Sequence, residues 1–411
     1  MEKPRSSRYE YGILVLLVLF WGTVGLNRVG IGFIFPKIVP EFHMKLWQAG
    51  LLISGTSITW ALSSWVGGWL SDRYGRRKVL LPAVAFTCVM TAAMGAAWNF
   101  LSMFVVRDLL GIGDGVGWSV GQATINEESA PERRGFNQAI FAAGYTLIGA
   151  GLGALIITTI TVHLGWRWAF PIVGAASLLV LGALFFVMRE PAAHAERHPI
   201  QWRAGARLLR DPSVLAVTIA GCAVLTWLQL TIGFNVLFLT RVRHFSLLQA
   251  GGIASVWGFS GVVGQLVLPL VSDFWGRKRT VVLGALACAA ALVFYLQGDF
   301  GIADMRLLLG ASGFFGWGLL PIVLATTVSE LVSDELRGAA LGMTNCLAVI
   351  VGTTIMPVLG GAIADHFTLS AALWLCVGSE IVVAAAMLAV KETAPRMVAR
   401  AARMTASAHA G

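Results

Sequence analysis

The chain has 411 residues, of which 57% are apolar and only 12% are charged. A soluble domain carries about 25% charged residues, so this composition excludes a soluble enzyme. The formal net charge of +9 does not indicate a nucleic-acid partner, because the basic residues are spread over many short loops and not gathered in one patch.

Twelve apolar stretches, each long enough to cross a bilayer, follow one another along the chain. Crossing takes about 20 mostly apolar residues in a helix. The first stretch is too long for a secretory signal peptide and lacks a small-residue cleavage site, so we expect it to be retained. The predicted spans are residues 11–39, 47–71, 79–98, 100–125, 136–162, 167–188, 213–240, 248–272, 280–298, 305–328, 338–364 and 369–390.

The basic residues indicate how these helices are oriented. Of the 30 Lys and Arg residues, 22 lie on the side of the predicted membrane that carries both chain ends, and six lie on the other side. Positively charged loops stay in the cytoplasm. We therefore predict a multi-pass protein of a bacterial inner membrane with both termini in the cytoplasm.

Ionisable residues inside the predicted spans indicate a functional site, because a charge at the bilayer centre costs at least about 2.5 kcal/mol. Arg28 lies in the first span, and Arg107 and Asp114 lie seven residues apart on one face of the fourth. A guanidinium binds a carboxylate through parallel hydrogen bonds and stays charged. We predict that the two arginines bind an anion and that Asp114 carries a proton. The alternative is a permanent structural ion pair between Arg107 and Asp114.

Polar and aromatic residues in other spans are weaker candidates for binding the substrate, since each is equally explained by a contact between helices. They are Tyr145, Trp227, Asn235, Gln265 and Asn345. Glu380, in the twelfth span, needs a polar neighbour or a partner subunit to satisfy its carboxyl group. The five cysteines show no metal-binding spacing, and no glycine loop with lysine indicates a nucleotide, so we expect no cofactor.

The sequence repeats itself after about 200 residues. LSDRYGRRK around Asp72 parallels VSDFWGRKR around Asp273, and both this pair and the pair His43 and His244 are 201 residues apart. A third pair, NEESAPERRG and SELVSDELRG, has an offset of 203 residues. Internal repeats are typical of transporters that bind their substrate near the membrane midplane.

The longest polar stretch between spans divides the two repeats. We therefore predict an N-terminal six-helix bundle at residues 1–188, a cytoplasmic linker at 189–212, a C-terminal six-helix bundle at 213–390 and a cytoplasmic tail at 391–411.

The loop GWLSDRYGRRKVL resembles the loop between helices 2 and 3 of the major facilitator superfamily. The matching residues are Gly68, Asp72, Arg73, Gly75, Arg76 and Arg77, and a weaker second copy contains Asp273, Gly276 and Arg277. The resemblance covers nearly the whole chain, and implies a monomer with two bundles related by a pseudo-twofold axis. Glycine permits a tight turn, and Asp72 can cap the next helix or pair with an arginine. We predict that this loop takes part in gating.

A narrower resemblance concerns the charged spans. LNRVGIGFIFPKI around Arg28 and RDLLGIGDG around Arg107 resemble helices 1 and 4 of the anion:cation symporters, which implies substrate binding by both arginines and a proton at Asp114. Asn27 stands where that family usually has an acid, so the resemblance leaves the number of coupled protons open.

The predicted function is proton-coupled uptake of a small organic anion, such as a sugar acid or an aromatic carboxylate, by alternating access. Aromatic-acid:proton symporters are a second possibility, although aspartates typical of their helix 1 are absent between Tyr11 and Lys37. Proton-coupled efflux of drugs or metabolites is the main alternative, but residues 144–155 lack the proline of the antiporter motif. A membrane sensor would carry a soluble signalling domain, for which no segment is long enough.

Overall fold

The computed structural model describes residues 7–190 and 207–397, and these residues fold into long helices. Most of the predicted linker and most of the predicted tail lie outside the described residues. The first six helical rods are α1 Ser7–Glu41, α2 Leu46–Tyr74, α3 Arg76–Met94, α4 Phe100–Glu128, α5 (Arg134–Gly144, Tyr145–Leu152 and Gly153–His163) and α6 Trp166–Val187.

The second half of the chain adds six more rods within the described residues. They are α7 Pro212–Arg241, α8 Leu247–Trp275, α9 Arg277–Gln297, α10 (Ile302–Pro321, Ile322–Thr326 and Thr327–Leu331), α11 (Asp334–Ala348, Val349–Ile355 and Met356–His366) and α12 Leu369–Ala389.

Ten of these rods are long and apolar enough to cross a membrane, among the described residues. The other two, α2 and α4, are more polar, but each has 29 residues. At 1.5 Å per residue, 29 residues reach about 43 Å, which exceeds the roughly 30 Å hydrocarbon core of a bilayer. The predicted all-helical membrane fold is confirmed, and the twelve rods fit the twelve predicted spans.

The described chain divides into two compact units. Unit 1 holds the first six rods together with Asn235–Gly258, and unit 2 holds the other described residues. A Cβ atom on Gly258 would lie 2.6 Å from the Cα atom of Gly151, so the missing side chain allows the backbone of α8 to touch that of α5. Asn235–Gly258 thus packs with the first six rods, and the division into two bundles at residues 189–212 stays a prediction.

The sequence repeat is also present in the backbone. His43 and His244, 201 residues apart, both have positive φ angles, of 49° and 56°. Gly75 and Gly276 share the same offset and have φ angles of 105° and 102°, a region that only glycine adopts easily. Repeat-related residues thus shape the turns after α1 and α2 and the turns after α7 and α8 in the same way.

Two π-helical segments occupy corresponding places in α5 and α11. Tyr145–Leu152 and Val349–Ile355 interrupt their rods with wider turns, a feature that is frequent at functional sites. In unit 1 a Cβ atom on Gly149 would lie 2.6 Å from the Cα atom of Gly25, so α1 and α5 approach each other through glycine alone. The π segment of α5 therefore lies directly against the helix that carries Arg28.

Glu380 is fully buried in α12. Among the described residues, neither of its carboxyl oxygens has a hydrogen-bond partner, and no basic side chain forms an ion pair with it. The polar neighbour that the sequence suggested is therefore not found, and complete burial leaves no exposed surface for a partner subunit. The thiols of Cys288 and Cys376 lie within electrostatic range of the carboxyl group.

Replacing Glu380 by Met should stabilise the protein. A buried polar group without a partner costs about 1–3 kcal/mol, which an apolar side chain of similar volume removes. We expect Glu380→Met to raise the midpoint of thermal unfolding in detergent, and Glu335→Met, at an exposed position of α11, to leave it unchanged. A lower midpoint for Glu380→Met would show that the carboxyl group stabilises the fold.

Candidate functional site

The ionisable residues predicted from the first half of the sequence come together in unit 1. Arg28 extends from α1, Arg107 and Asp114 from α4, and Tyr145 from the start of the π segment in α5. Arg28, Arg107 and Asp114 each lie within electrostatic range of the other groups of this set. We call these four residues the charged cluster.

Arg107 is 1% exposed and is held by backbone carbonyl groups. Its Nε donates a hydrogen bond to the carbonyl oxygen of Leu52 at 2.8 Å, and Nη1 donates to that of Asn27 at 3.2 Å. Among the described residues no carboxylate lies within ion-pair distance of its guanidinium. The permanent ion pair with Asp114, the alternative considered from the sequence, is therefore not formed in this structure.

Arg28 is half-buried and lies against α2. Its Nη2 donates a long hydrogen bond of 3.4 Å to the hydroxyl of Thr56, and its guanidinium carbon lies 5.4 Å from the centre of the Trp60 ring. A cation over the face of an indole ring is attracted by the ring's negative face. Arg28 likewise has no carboxylate within ion-pair distance among the described residues.

Asp114 is fully buried between α4 and α3. Its Oδ1 accepts a weak hydrogen bond of 3.5 Å from the hydroxyl of Thr87, and its Oδ2 has no partner among the described residues. Most buried polar groups are hydrogen-bonded, so a half-satisfied carboxyl group is a marked exception. One oxygen of Asp114 is thus available to hold a proton.

The glycines of α4 bring the neighbouring helices close to the charged cluster. A Cβ atom on Gly111 would lie 2.8 Å from the carbonyl oxygen of Thr56 in α2, and one on Gly113 would lie 2.8 Å from that of Ala83 in α3. These two glycines of α4 therefore serve contacts between helices.

Five aromatic rings line the same region, and we call them the aromatic wall. Their centroids are 4.6 Å apart for the nearest pair and 6.5 Å apart for the most distant contact, distances typical of interacting rings. Three of the rings are partly exposed, those of Trp60, Trp118 and Tyr145. The full set is Trp21, Trp60, Trp118, Phe141 and Tyr145.

Among the five residues of the aromatic wall, only Tyr145 was predicted from the sequence as a site residue. Trp118 lies four residues after Asp114 and therefore on the same face of α4, which is a signal that the sequence did contain. Trp21 and Trp60 gave no such signal, because tryptophan in a membrane helix is also common as a packing residue or an interface anchor.

Three other predicted substrate residues, Trp227, Gln265 and Asn345, belong to unit 2. Trp227 is fully buried in unit 2, where its Nε1 donates to the hydroxyl of Ser312 at 3.2 Å. Asn345, also in unit 2, donates from Nδ2 to the carbonyl oxygen of Leu341 at 2.9 Å. Gln265 is half-buried in α8 of unit 2. Their contact with a substrate stays a prediction.

Asn235 differs from the other three, because it belongs to unit 1. Its side chain is 4% exposed near the end of α7. Contact between Asn235 and a substrate also stays a prediction.

A buried ionic network closes the turn between α2 and α3. Arg76 is 2% exposed, and its guanidinium donates to the Ser71 hydroxyl at 2.6 Å, to Asp72 at 2.5 Å and to Glu127 of α4 at 2.6 Å. Asp72 therefore pairs with an arginine, which is one of the two roles predicted for it. This network joins three helices at one end of unit 1.

The second half contains the corresponding network. Arg277 donates to the Ser272 hydroxyl at 2.5 Å, to Asp273 at 2.5 Å and to Glu330 at 3.0 Å. The glutamates were not predicted as site residues, although Glu127 and Glu330 lie in the matched segments with the offset of 203 residues.

The other residues of the motif have distinct surroundings. Gly75 and Gly276 lie against the carboxyl groups of Glu190 and Glu392 respectively, and their positive φ angles strain any other residue there. Gly68 is buried, and its carbonyl oxygen accepts a hydrogen bond of 2.9 Å from the hydroxyl of Ser71. Arg73 is exposed, and its guanidinium carbon lies 5.8 Å from the centre of the Trp69 ring and 5.6 Å from that of the Tyr74 ring.

Membrane-crossing helices in a repeated arrangement, with charged groups buried in one unit, define a membrane transporter and not an enzyme. The chain belongs to the Major Facilitator Superfamily, whose family model matches residues 17–352 and 272–408. Structural similarity agrees with this assignment. A bacterial homologue of the human lysosomal transporter Spinster superposes with a TM-score of 0.75 at 17% identity, covering 93% of this chain and 95% of the other. A D-xylose–proton symporter superposes with a TM-score of 0.74 at 18% identity, covering 94% of this chain and 99% of the other.

Several relatives are named as transporters of organic acids. The chain is 26% identical to a probable 4-methylmuconolactone transporter of Cupriavidus pinatubonensis, covering 86% of this chain and 83% of the relative. It is 27% identical to a probable sulfoacetate transporter of Cupriavidus necator, with coverages of 86% and 87%. It is 24% identical to the hexuronate transporter of Bacillus subtilis, with coverages of 86% and 88%. These names agree with the predicted resemblance to anion:cation symporters.

Replacing Arg76 by Lys should destabilise unit 1. Lysine keeps the positive charge but cannot donate in the fork geometry that reaches Ser71, Asp72 and Glu127 together. We expect a loss of about 2 kcal/mol, seen as a lower midpoint of thermal unfolding. The matched control is Arg73→Lys in the same loop, which should change the midpoint little because Arg73 is exposed. Equal midpoints for the two variants would contradict the structural role of the network.

Proposed function

We propose that the protein takes up a small organic anion together with protons across a bacterial inner membrane. The observation that carries the proposal is the pair Arg28 and Arg107, two cations inside a membrane-spanning unit with no carboxylate in ion-pair distance among the described residues. A buried charge without a counter-charge is costly, so these arginines are expected to receive theirs from the substrate. The protein works as a monomer with both termini in the cytoplasm.

Arg28 and Arg107 are proposed to bind the same carboxylate, Arg107 from a fixed position and Arg28 by turning towards it. Arg107 is fixed by the carbonyl groups of Leu52 and Asn27, which hold its guanidinium in one place. Arg28 makes only a long contact with Thr56 and is half-buried, so it can turn towards a ligand at little cost. A charged hydrogen bond contributes about 1.5–3 kcal/mol, and its fork geometry favours a carboxylate over a halide.

The rest of the substrate is proposed to be a planar ring or another unsaturated, apolar body. Trp60 lies under the guanidinium of Arg28, and Trp60, Trp118 and Tyr145 are only partly buried. Aromatic pairs gain about 0.5–1.5 kcal/mol beyond burial alone. A sugar acid needs a hydrogen-bond partner for nearly every hydroxyl, and an indole face offers none. Among the two substrate classes considered from the sequence, the aromatic wall favours aromatic carboxylates.

Coupling to protons is proposed to occur at Asp114. Its carboxyl group lies within range of both arginine charges, and one of its oxygens has no hydrogen-bond partner among the described residues. An anion that binds to the arginines neutralises the positive charges beside Asp114. Substrate binding therefore favours proton binding, which is the thermodynamic requirement for symport.

Alternating access is proposed to use the two repeated networks at the helix turns. Arg76 and Arg277 each join an aspartate and a glutamate from different helices. Networks of this type can hold the helix ends in one state of the carrier and separate in the other, so that each half moves as a rigid body.

The role of Arg28 and the class of substrate can be tested together in proteoliposomes. We expect labelled benzoate to accumulate in response to an inward proton gradient, and gluconate, a sugar acid of equal charge, to compete less well than unlabelled benzoate. Arg28→Gln should weaken benzoate binding about tenfold to a hundredfold, the value of a charged hydrogen bond. Lys37→Gln, at an exposed position of the same helix, is the control.

Unchanged affinity of Arg28→Gln for benzoate would remove this arginine from the binding site. Stronger competition by gluconate than by benzoate would leave anion transport intact and refute only the proposed role of the aromatic wall. Failure of the wild type to accumulate any carboxylate would refute anion uptake itself.

Asp114→Asn should separate transport from proton coupling. Asparagine cannot bind and release a proton, so we expect counterflow exchange of substrate to persist and accumulation driven by a proton gradient to be lost. Asp108→Asn, six residues earlier in the same helix and half-buried, should keep both activities. Normal accumulation by Asp114→Asn would show that the coupled proton binds elsewhere.

A further inference from the structure

Two grooves open on the outer faces of the helices, one in each unit. Groove 1, of about 900 Å³, lies between α3 and α6 and has Arg77, Lys78, Leu181 and Phe185 among its lining residues. Groove 2, of about 720 Å³, lies between α9 and α12 and includes Lys278, Arg279, Leu283 and Leu388. In both grooves the lining is mainly apolar, with basic residues at one end.

The two grooves are copies of each other in sequence. Arg77 and Lys78 lie 201 residues before Lys278 and Arg279, and Glu190 in groove 1 lies 202 residues before its counterpart in groove 2. Each groove therefore has two adjacent basic residues at the start of one of its two helices. An acidic residue follows just beyond the end of the other helix. A feature kept in both halves belongs to the shared scaffold and not to the substrate site.

In each groove one basic residue is engaged by the protein. Arg77 donates from Nη2 to the carbonyl oxygen of Phe185 at 2.6 Å. Lys278 donates in the same way to the carbonyl oxygen of Leu388. Both contacts satisfy a carbonyl group at a helix C-terminus, where four carbonyl groups lack a partner within the helix. These two side chains fix the basic end of the groove.

The second basic residue of each groove remains available. Lys78 and Arg279 are exposed, and no described residue forms a hydrogen bond or an ion pair with either. The acid of groove 2, Glu392, is occupied, because it accepts from the backbone N–H of Arg277 at 2.8 Å and of Ala394 at 3.0 Å. Each groove thus has one exposed cation without a partner among the described residues.

We propose that each groove binds one anionic glycerophospholipid from the leaflet that contacts the α2–α3 and α8–α9 turns. An acyl chain lies on the apolar floor, and the phosphate is bound by Lys78 in groove 1 and by Arg279 in groove 2. Basic pockets between membrane helices recognise anionic headgroups in this way. The mainly apolar lining favours a whole lipid over a free phosphate ion.

The proposal predicts two lipid sites that depend on the free basic residues. Native mass spectrometry of the full chain in detergent should show up to two phosphatidylglycerol molecules retained per protein, and phosphatidylcholine should be retained less. The double variant Lys78→Gln and Arg279→Gln should lose about fivefold in affinity at each groove, since one basic residue near an anionic surface contributes about this factor. The matched control is Lys37→Gln with Arg306→Gln, two exposed basic residues outside the grooves.

A second variant tests the apolar floor without changing a charge. Gly182 lies in groove 1 with open space where a side chain would begin. Gly182→Phe should therefore fill groove 1 without disturbing the helix, and reduce the retained phosphatidylglycerol from two molecules to one.

Three results would overturn the proposal. They are equal retention of phosphatidylcholine and phosphatidylglycerol, unchanged binding by the Lys78→Gln and Arg279→Gln variant, and protection of the protein against thermal unfolding by water-soluble glycerol 3-phosphate as strong as that by phosphatidylglycerol. The last result would assign the grooves to free phosphate esters.

Discussion

The candidate site depends on two guanidinium groups that lie within a membrane-spanning unit. The guanidinium of Arg107 donates to two backbone carbonyl groups, and that of Arg28 contacts one hydroxyl and one indole face. Carbonyl oxygens carry only partial negative charge, so they lower the cost of burial without cancelling it. On the proposed function, a bound anion supplies the missing counter-charge, so the fold would be more stable with the anion than without it. This difference in free energy is the source of the proposed substrate affinity.

The internal repeat separates the charges of the scaffold from the charges of the site. Arg76 and Arg277 occupy matching positions, and each pairs with an acid that is also repeated, Glu127 and Glu330. Arg28 has no such counterpart, since the residue 201 positions later is Gln229. An interaction present in both halves can serve a motion that both halves share. An interaction present in one half makes the binding region asymmetric, which a substrate with one charged end requires.

The sequence predicted the ionisable residues of the candidate site better than the rest of it. Arg28, Arg107 and Asp114 could be selected because charge in a membrane helix is costly enough to need a reason. Thr87 and Trp60 could not, because hydroxyl and aromatic side chains are tolerated throughout such helices and only packing decides which of them face the cluster. The twelve helices followed from apolar length alone. The assignment of the start of α8 to unit 1 depends on backbone contacts at glycines, which no pattern of hydrophobicity reports.

Two buried carboxyl groups show how the surroundings decide what a proton site can do. Asp114 and Glu380 are both fully buried, and both have oxygens without a partner among the described residues. Asp114 has two arginine charges within range, so the free energy of its proton changes when an anion covers those charges. For Glu380, the thiols of Cys288 and Cys376 are the groups within electrostatic range among the described residues, and no arginine is among them. The proposed coupling at Asp114 therefore depends on the two arginine charges beside it, which a bound anion would neutralise, and Glu380 lacks such neighbours among the described residues.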